Sequence, residues 1–95
     1  MEPHELNPVD QGILLKTVEE VLALRENIAL TVVAVHRRAA MIVDFKIELA
    51  HVQAALDALK NWDPPLAKTV FGEFATEAGW QITTQGVLHF KRNLK

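Results

Sequence analysis

The chain has 95 residues, of which 49% are hydrophobic, so it fits a single domain that can bury a modest core. It contains no cysteine, serine or tyrosine, which excludes disulfides, thiolate metal sites and catalysis by a serine or cysteine nucleophile. The balance of 10 basic and 12 acidic side chains argues against nucleic acid or an anionic membrane as the main partner.

The first predicted element is a helix over residues 8–26. Asn7 can cap its start, Pro8 suits the first helical position, and Asp10 places a carboxylate in the first turn. Apolar residues then recur at helical spacing, namely Leu14, Val18, Val21, Leu22 and Ile28.

Residues 28–49 fit two descriptions. The run from 28 to 35 is rich in β-branched side chains, and residues 43–49 alternate apolar and polar, so both could be strands. The residues between them, His-Arg-Arg-Ala-Ala, lack the glycine, asparagine, aspartate or proline that a hairpin turn needs. Apolar residues also recur in steps of three and four from position 42 to 59, which favours a helix. We therefore predict a helix over residues 39–62.

The sequence Asp63-Pro64-Pro65 is expected to end that helix, because proline cannot continue it. Apolar residues at helical spacing then predict a short third helix over residues 66–78, with Gly79 at its C-terminal cap. Residues 80–91 are predicted to form a β-hairpin whose two-residue turn is Gln85-Gly86.

These elements predict a mainly α fold with one domain over residues 1–95. The two long helices could be continuous or could form a helical hairpin, and the third helix and the C-terminal hairpin would pack against them. Residues 1–6 and 93–95 are expected to be flexible. The alternative is an α+β fold with additional strands near residues 28–36 and 41–49.

The helix predicted over residues 39–62 carries an apolar stripe, formed by Ile42, Phe45, Leu49, Val52, Leu56 and Leu59. Burying one such side chain stabilises by roughly 1.5 to 3 kcal/mol, so several together could hold two copies of the chain. We therefore interpret the chain as a small interaction or assembly protein that self-associates, most simply as a homodimer. A different protein is the second candidate partner. No cofactor is predicted.

A second interpretation is an α+β module that binds a small apolar molecule. The candidate pocket consists of the aromatic residues around the third predicted helix, which are Trp62, Phe71, Phe74 and Trp80. These side chains would equally serve to dock the third helix on the long ones.

A third and less favoured interpretation is a small nucleic-acid-binding regulator. The candidate anion or nucleic-acid patch consists of Arg37, Arg38, Lys91, Arg92 and Lys95. The net charge of −2 opposes this interpretation, and a solvated strand end and tail explains the C-terminal cations equally well.

The only spacing that is typical of a metal site is Glu48-Leu-Ala-His51, which di-iron helix bundles use in two copies. One copy occurs here, so no metal and no catalytic residue are predicted, and the chain is not expected to be an enzyme. The four histidines, at positions 4, 36, 51 and 89, do not cluster and are expected to be ordinary surface or boundary residues. An acidic start without an apolar signal region and the lack of an apolar run of membrane length predict a cytoplasmic protein.

Overall fold

A computed structural model of the chain describes residues 6–71 and 78–92. These residues form four helices and one two-stranded sheet, in the order α1 (Pro8–Ala23), α2 (Val32–Ala40), α3 (Leu49–Lys60), β1 (Ala67–Val70), β2 (Gly79–Ile82) and α4 (Thr84–Arg92). The prediction of a mainly helical fold with a small antiparallel sheet is confirmed, although several boundaries differ. None of the described helices has the length and apolar character that crossing a membrane requires.

Helix α1 begins where the sequence predicts it. The side chain of Asn7 accepts a hydrogen bond from the backbone N–H of Asp10 at 2.8 Å, and Pro8 is the first helical residue. The apolar residues of its inward face are buried, namely Leu14, Val18, Val21 and Leu22. The helix ends at Ala23 and not at Glu26, because the chain turns over residues 24–27.

The core forms around α1, which packs against α2, α3, α4 and β2. Helix α3 completes it by packing against α2 and β1 as well. The largest fully buried side chains come from the three helices α1, α2 and α3, and they are Leu22, Leu56, Leu59, Val18, Val35 and Val52. This arrangement leaves α4 attached to the core through α1 and β2.

Strand β2 has backbone partners on both of its sides. It pairs antiparallel with β1, with Thr69 opposite Trp80. On its other side, the N–H of Trp80 donates to the carbonyl of Leu30 at 2.6 Å, and the N–H of Leu30 donates to the carbonyl of Trp80 at 2.9 Å. The connection between α1 and α2 therefore adds one bridge to the sheet, at Leu30.

The predicted helix over residues 39–62 is confirmed over residues 49–60, which form α3, and is wrong before them, because residues 41–48 separate α2 from α3. This connection is held by tertiary contacts that the local sequence does not reveal. The Nε2 atom of His36 lies 3.1 Å from the carbonyl oxygen of Ile47, whose side chain is buried in the core.

The alternative strands near residues 28–36 and 41–49 are also wrong. Leu30 forms only the isolated bridge, and α2 begins directly after Thr31, whose hydroxyl accepts a hydrogen bond from the N–H of Ala34 at 3.2 Å. This cap sets the start of α2 in spite of the β-branched residues that follow.

The predicted third helix over residues 66–78 is wrong in its described part, since residues 67–70 form β1, and residues 72–77 lie outside the described residues. The predicted hairpin over residues 80–91 is wrong as well, because β2 pairs with β1 and is followed by α4. The hydroxyl of Thr83 accepts a hydrogen bond from the N–H of Gly86 at 2.9 Å, so the predicted turn lies in the first turn of α4.

Candidate functional site

The apolar stripe divides between the core and the surface. Val52, Leu56 and Leu59 are fully or almost fully buried, and Phe45 packs partly buried against the core. Ile42 and Leu49 remain about half exposed, as the stripe is interrupted by the connection between α2 and α3. The stripe therefore stabilises the single chain, and only its first part is accessible to another molecule.

The three described aromatic residues of the candidate pocket, Trp62, Phe71 and Trp80, do not come together in one site. Trp80 is buried in β2, with the Nζ atom of Lys60 at 6.0 Å from its ring centre. Trp62 is 41% exposed after the end of α3, and Phe71 is 68% exposed after β1. Phe74 lies outside the described residues.

Trp62 lines a cleft of about 480 Å³ between α1, the end of α3 and α4. Leu15, Leu59 and Phe90 supply the other apolar wall residues. Polar side chains from α1 and α4 also reach the cleft, namely Lys16, Glu19, Glu20 and His89. The volume lies within the range of sites that bind small molecules.

A carboxylate and an imidazole meet in this cleft. The Nδ1 atom of His89 lies 2.9 Å and 3.0 Å from the two carboxylate oxygens of Glu19, and Glu19 is only 6% exposed. The ring of Trp62 meets the ring of His89 edge-on, with 5.5 Å between their centres. Because a buried carboxylate needs a donor, this contact fastens α4 to α1.

The sequence analysis missed this pair. Its one available signal is the position of Glu19 on α1, where Leu15 precedes it by one turn and Leu22 follows it on the same apolar face. A carboxylate in such a face predicts a buried partner, but nothing in the local pattern identifies His89 as that partner.

The Glu48-x-x-His51 spacing has a structural use at the start of α3. Glu48 precedes the first residue of the helix, and its backbone N–H donates to Nδ1 of His51 at 3.0 Å. This contact belongs to a capping box, which satisfies backbone groups at the helix end. Within residues 6–71 and 78–92, no group of three or more histidine and carboxylate side chains could hold a metal ion.

The described residues of the candidate anion or nucleic-acid patch lie in the last turns of two helices, α2 and α4, which both pack on α1. Arg37 and Arg38 are in the last turn of α2, which packs on α1 and α3. Lys91 and Arg92 are in the last turn of α4, which packs on α1 and β2. Lys95 lies outside the described residues.

Helices α2 and α3 also do not provide the usual nucleic-acid surface of a helical pair. A helix-turn-helix joins its helices by three or four residues and presents the second helix to the bases. Here residues 41–48 form the connection, and the charged side chains of α3 are Asp57 and Lys60. This composition offers little attraction for phosphates.

Among the described residues, β1 is an edge strand of the sheet, with Ala67 and Thr69 on its outer side, away from β2. Ala67 is covered, since it is only 1% exposed. Because both backbone groups of Trp80 bond to Leu30, its neighbours in β2 direct theirs to β1, where Lys68 and Val70 are their partners. Thr69 therefore directs its N–H and C=O away from β2. No backbone hydrogen bond from elsewhere in the described chain reaches Thr69.

Comparison of the chain with family models, with curated proteins and with solved structures finds no match.

Proposed function

We propose that this chain is a small, non-catalytic interaction module that self-associates as a homodimer. The observation that carries the proposal is the outer edge of β1 at Thr69, whose N–H and C=O take no backbone partner among residues 6–71 and 78–92. Such groups on an edge strand can add a strand from another molecule. Phe71, which directly follows this strand, is 68% exposed and offers apolar surface at the same place.

The small size of the chain supports the same proposal. A domain of 95 residues buries a limited fraction of its surface, and burial against a second copy adds to its stability. The apolar stripe does not provide that surface as a whole, because Val52, Leu56 and Leu59 are already buried in the core. A cytoplasmic location remains part of the proposal and rests on the composition.

The experiment that tests self-association is light scattering after gel filtration, across a tenfold or wider range of concentration. The monomer has a mass of 10.6 kDa. We expect twice this mass at high concentration and a shift towards the monomer on dilution. A mass of 10.6 kDa at every concentration would contradict the proposed function.

The cleft beside Trp62 favours a second candidate function, the binding of a small molecule with an apolar or aromatic body. Its walls are largely apolar, and the charged side chains of Lys16 and Glu20 lie along it. Few polar groups around an apolar cavity are typical of small-molecule sites, where they orient the ligand.

This second candidate is tested by tryptophan fluorescence. The chain has two tryptophans, so Trp80→Phe leaves Trp62 as the sole reporter in the cleft. Titration with a naphthalene-sized aromatic compound should then shift or quench the emission. Gly12→Leu is the control variant, since a Cβ at Gly12 meets no atom within 4 Å and a larger side chain there would occupy the cleft. An unchanged emission in the Trp80→Phe protein would contradict this candidate.

A further inference from the structure

The cleft beside Trp62 is lined by charged side chains that differ in whether they already have a partner. Three of them belong to α1, namely Lys16, Glu19 and Glu20. Glu19 is engaged, because both of its carboxylate oxygens lie within hydrogen-bond distance of Nδ1 of His89. The charges available to a ligand are therefore those of Lys16 and Glu20.

Glu20 gains more from an added partner than Lys16 does. The side chain of Glu20 is partly buried, and in the part of the chain that the structure describes it takes no ion pair and no side-chain hydrogen bond. A carboxylate that has lost part of its hydration is stabilised by a cation nearby. Lys16, one turn earlier on α1, also has no such partner among the described residues, but it is exposed and stays hydrated.

The walls of the cleft favour the same sign of charge on the ligand. Trp62 and Phe90 line the cleft, and the negative face of an aromatic ring attracts cations. Leu15 and Leu59 add aliphatic surface for an apolar body. The volume of about 480 Å³ accommodates a body as large as two fused rings.

We propose that the cleft binds small amphipathic amines, whose protonated amino group pairs with Glu20 and whose apolar or aromatic body contacts Trp62 and Phe90. This inference rests on the second candidate function, the binding of a small apolar or aromatic molecule, and adds to it the charge of that molecule. Lys16 then competes with the ligand, because residues four apart on a helix are neighbours and its ammonium group can turn to the same carboxylate.

An acid with the same apolar body fits the cleft less well. Its carboxylate would pair with Lys16 at an exposed position, where an ion pair stabilises little because both groups give up good hydration. It would also lie in the same cleft as the carboxylates of Glu19 and Glu20, and like charges repel.

The test is an NMR titration of the unaltered chain with three compounds that share a naphthalene body, namely naphthylmethylamine, naphthylmethanol and naphthylacetate. The indole N–H signal of Trp62 reports on the cleft, and that of Trp80, which is buried in β2, is the internal reference. At about pH 7 the amine is protonated. We expect the amine to have a dissociation constant about threefold or more below that of the alcohol, and the acid to bind most weakly.

Two charge variants on α1 should change the affinity for the amine in opposite directions. Glu20→Gln should remove the preference for the amine over the alcohol, and Lys16→Gln should tighten the binding of the amine. Glutamine is a good helix former, so both variants should keep α1 intact. Glu26→Gln is the matched control, since it makes the same change of charge at an exposed position outside the cleft and should leave the preference unchanged.

The outcomes separate this inference from the second candidate function. An alcohol or acid that binds as tightly as the amine, or a preference for the amine that survives in Glu20→Gln, overturns the inference and leaves small-molecule binding standing. A Trp62 signal that none of the three compounds shifts overturns both. A preference for the amine that is lost in Glu20→Gln and kept in Glu26→Gln supports both.

Discussion

The imidazole of His89 and the carboxylate of Glu19 join the last helix to the first. They are 70 positions apart in the sequence, and Nδ1 of His89 lies 2.9 Å from the nearer carboxylate oxygen. Glu19 is buried and His89 is about one-third exposed, so the two ends of this contact differ in their access to water. The pair forms part of the cleft wall and part of the support of α4.

Removing His89 and removing Glu19 should lower the free energy of unfolding by different amounts. His89→Leu leaves the buried carboxylate without that donor, and we expect it to lower the free energy of unfolding by about 1 to 3 kcal/mol. Glu19→Leu should cost less, because His89 is partly exposed and can turn to water. Urea unfolding followed by circular dichroism measures both values.

The double variant Glu19→Leu with His89→Leu is the control for this prediction. Replacing both partners by apolar side chains removes the buried charge, so the double variant should lose less stability than the sum of the two single losses. Strictly additive losses would show that the two side chains are not coupled.

Replacing each of two helical glycines by alanine should change the stability of the protein in opposite directions. A Cβ at Gly86 would overlap the carbonyl oxygen of Leu66 and would lie 2.6 Å from a side-chain carbon of Ile82. We expect Gly86→Ala to destabilise by about 1 to 3 kcal/mol through overpacking. Gly12→Ala meets no neighbour and should stabilise by about 0.5 to 1 kcal/mol, because alanine favours the helix. Thermal unfolding of the two variants in parallel tests the difference in sign.

The division of the apolar stripe predicts unequal costs for two leucines on α3. Leu56 is fully buried at 0% exposure, so Leu56→Ala should cost about 2 to 5 kcal/mol. Leu49 is 46% exposed, so Leu49→Ala should cost less than about 1 kcal/mol. Denaturant unfolding gives both values, and equal costs would contradict the division.

A substitution at Leu49 distinguishes between the two surfaces through which copies of the chain could meet, namely β1 and the exposed part of the apolar stripe. Under pairing along β1, Leu49→Asp should leave both the fold and the dimer intact, and an aspartate in the first turn of α3 suits the helix dipole. A folded but monomeric Leu49→Asp protein in light scattering would instead assign the interface to the exposed part of the stripe.

Thr83 should be a sensitive position for α4. Its hydroxyl accepts from the N–H of Gly86 at 2.9 Å and donates to the carbonyl of Pro65 at 2.7 Å, which ties the helix start to the segment before β1. Thr83→Ala should lower the free energy of unfolding by about 1 kcal/mol. Thr83→Ser retains the hydroxyl and is the matched control in the same unfolding experiment.

The elements that were predicted correctly are determined by residues that lie close together in the sequence. Helix α1 has its cap, its proline and its apolar period within one stretch, and each of them acts over a few residues. The segment from 49 to 60 is likewise helical, with strong helix formers throughout. Local pattern was therefore sufficient at both places.

The elements that were predicted wrongly depend on distant partners. The interruption at residues 41–48 contains no glycine or proline, and its contacts are tertiary ones, such as that between His36 and the Ile47 carbonyl and the burial of the Ile47 side chain. Strand β1 exists through its pairing with β2, which local spacing cannot reveal. For α4 the sequence contains a good capping residue in Thr83, which the interpretation of Gln85-Gly86 as a hairpin turn did not take into account.

The same reasoning applies to the candidate site. The aromatic residues were predicted as one candidate pocket, but their grouping depends on the fold: Trp62 meets His89 beside Glu19, and Trp80 is buried in the sheet. The outward direction of the Thr69 backbone groups could not be predicted either, because it follows from which residue of β2 bonds to Leu30.

The bridge between Leu30 and Trp80 has a consequence for how the protein is made. All of α2, α3 and β1 separate these two residues, so a chain emerging from the ribosome exposes Leu30 long before its partner has been synthesised. Closing so long a loop costs chain entropy before any bond forms, which places the bridge to Leu30 late among folding events. A nascent chain that stops before β2 would leave both Leu30 and β1 without their pairing strand, and such truncated products should be readily degraded by proteases.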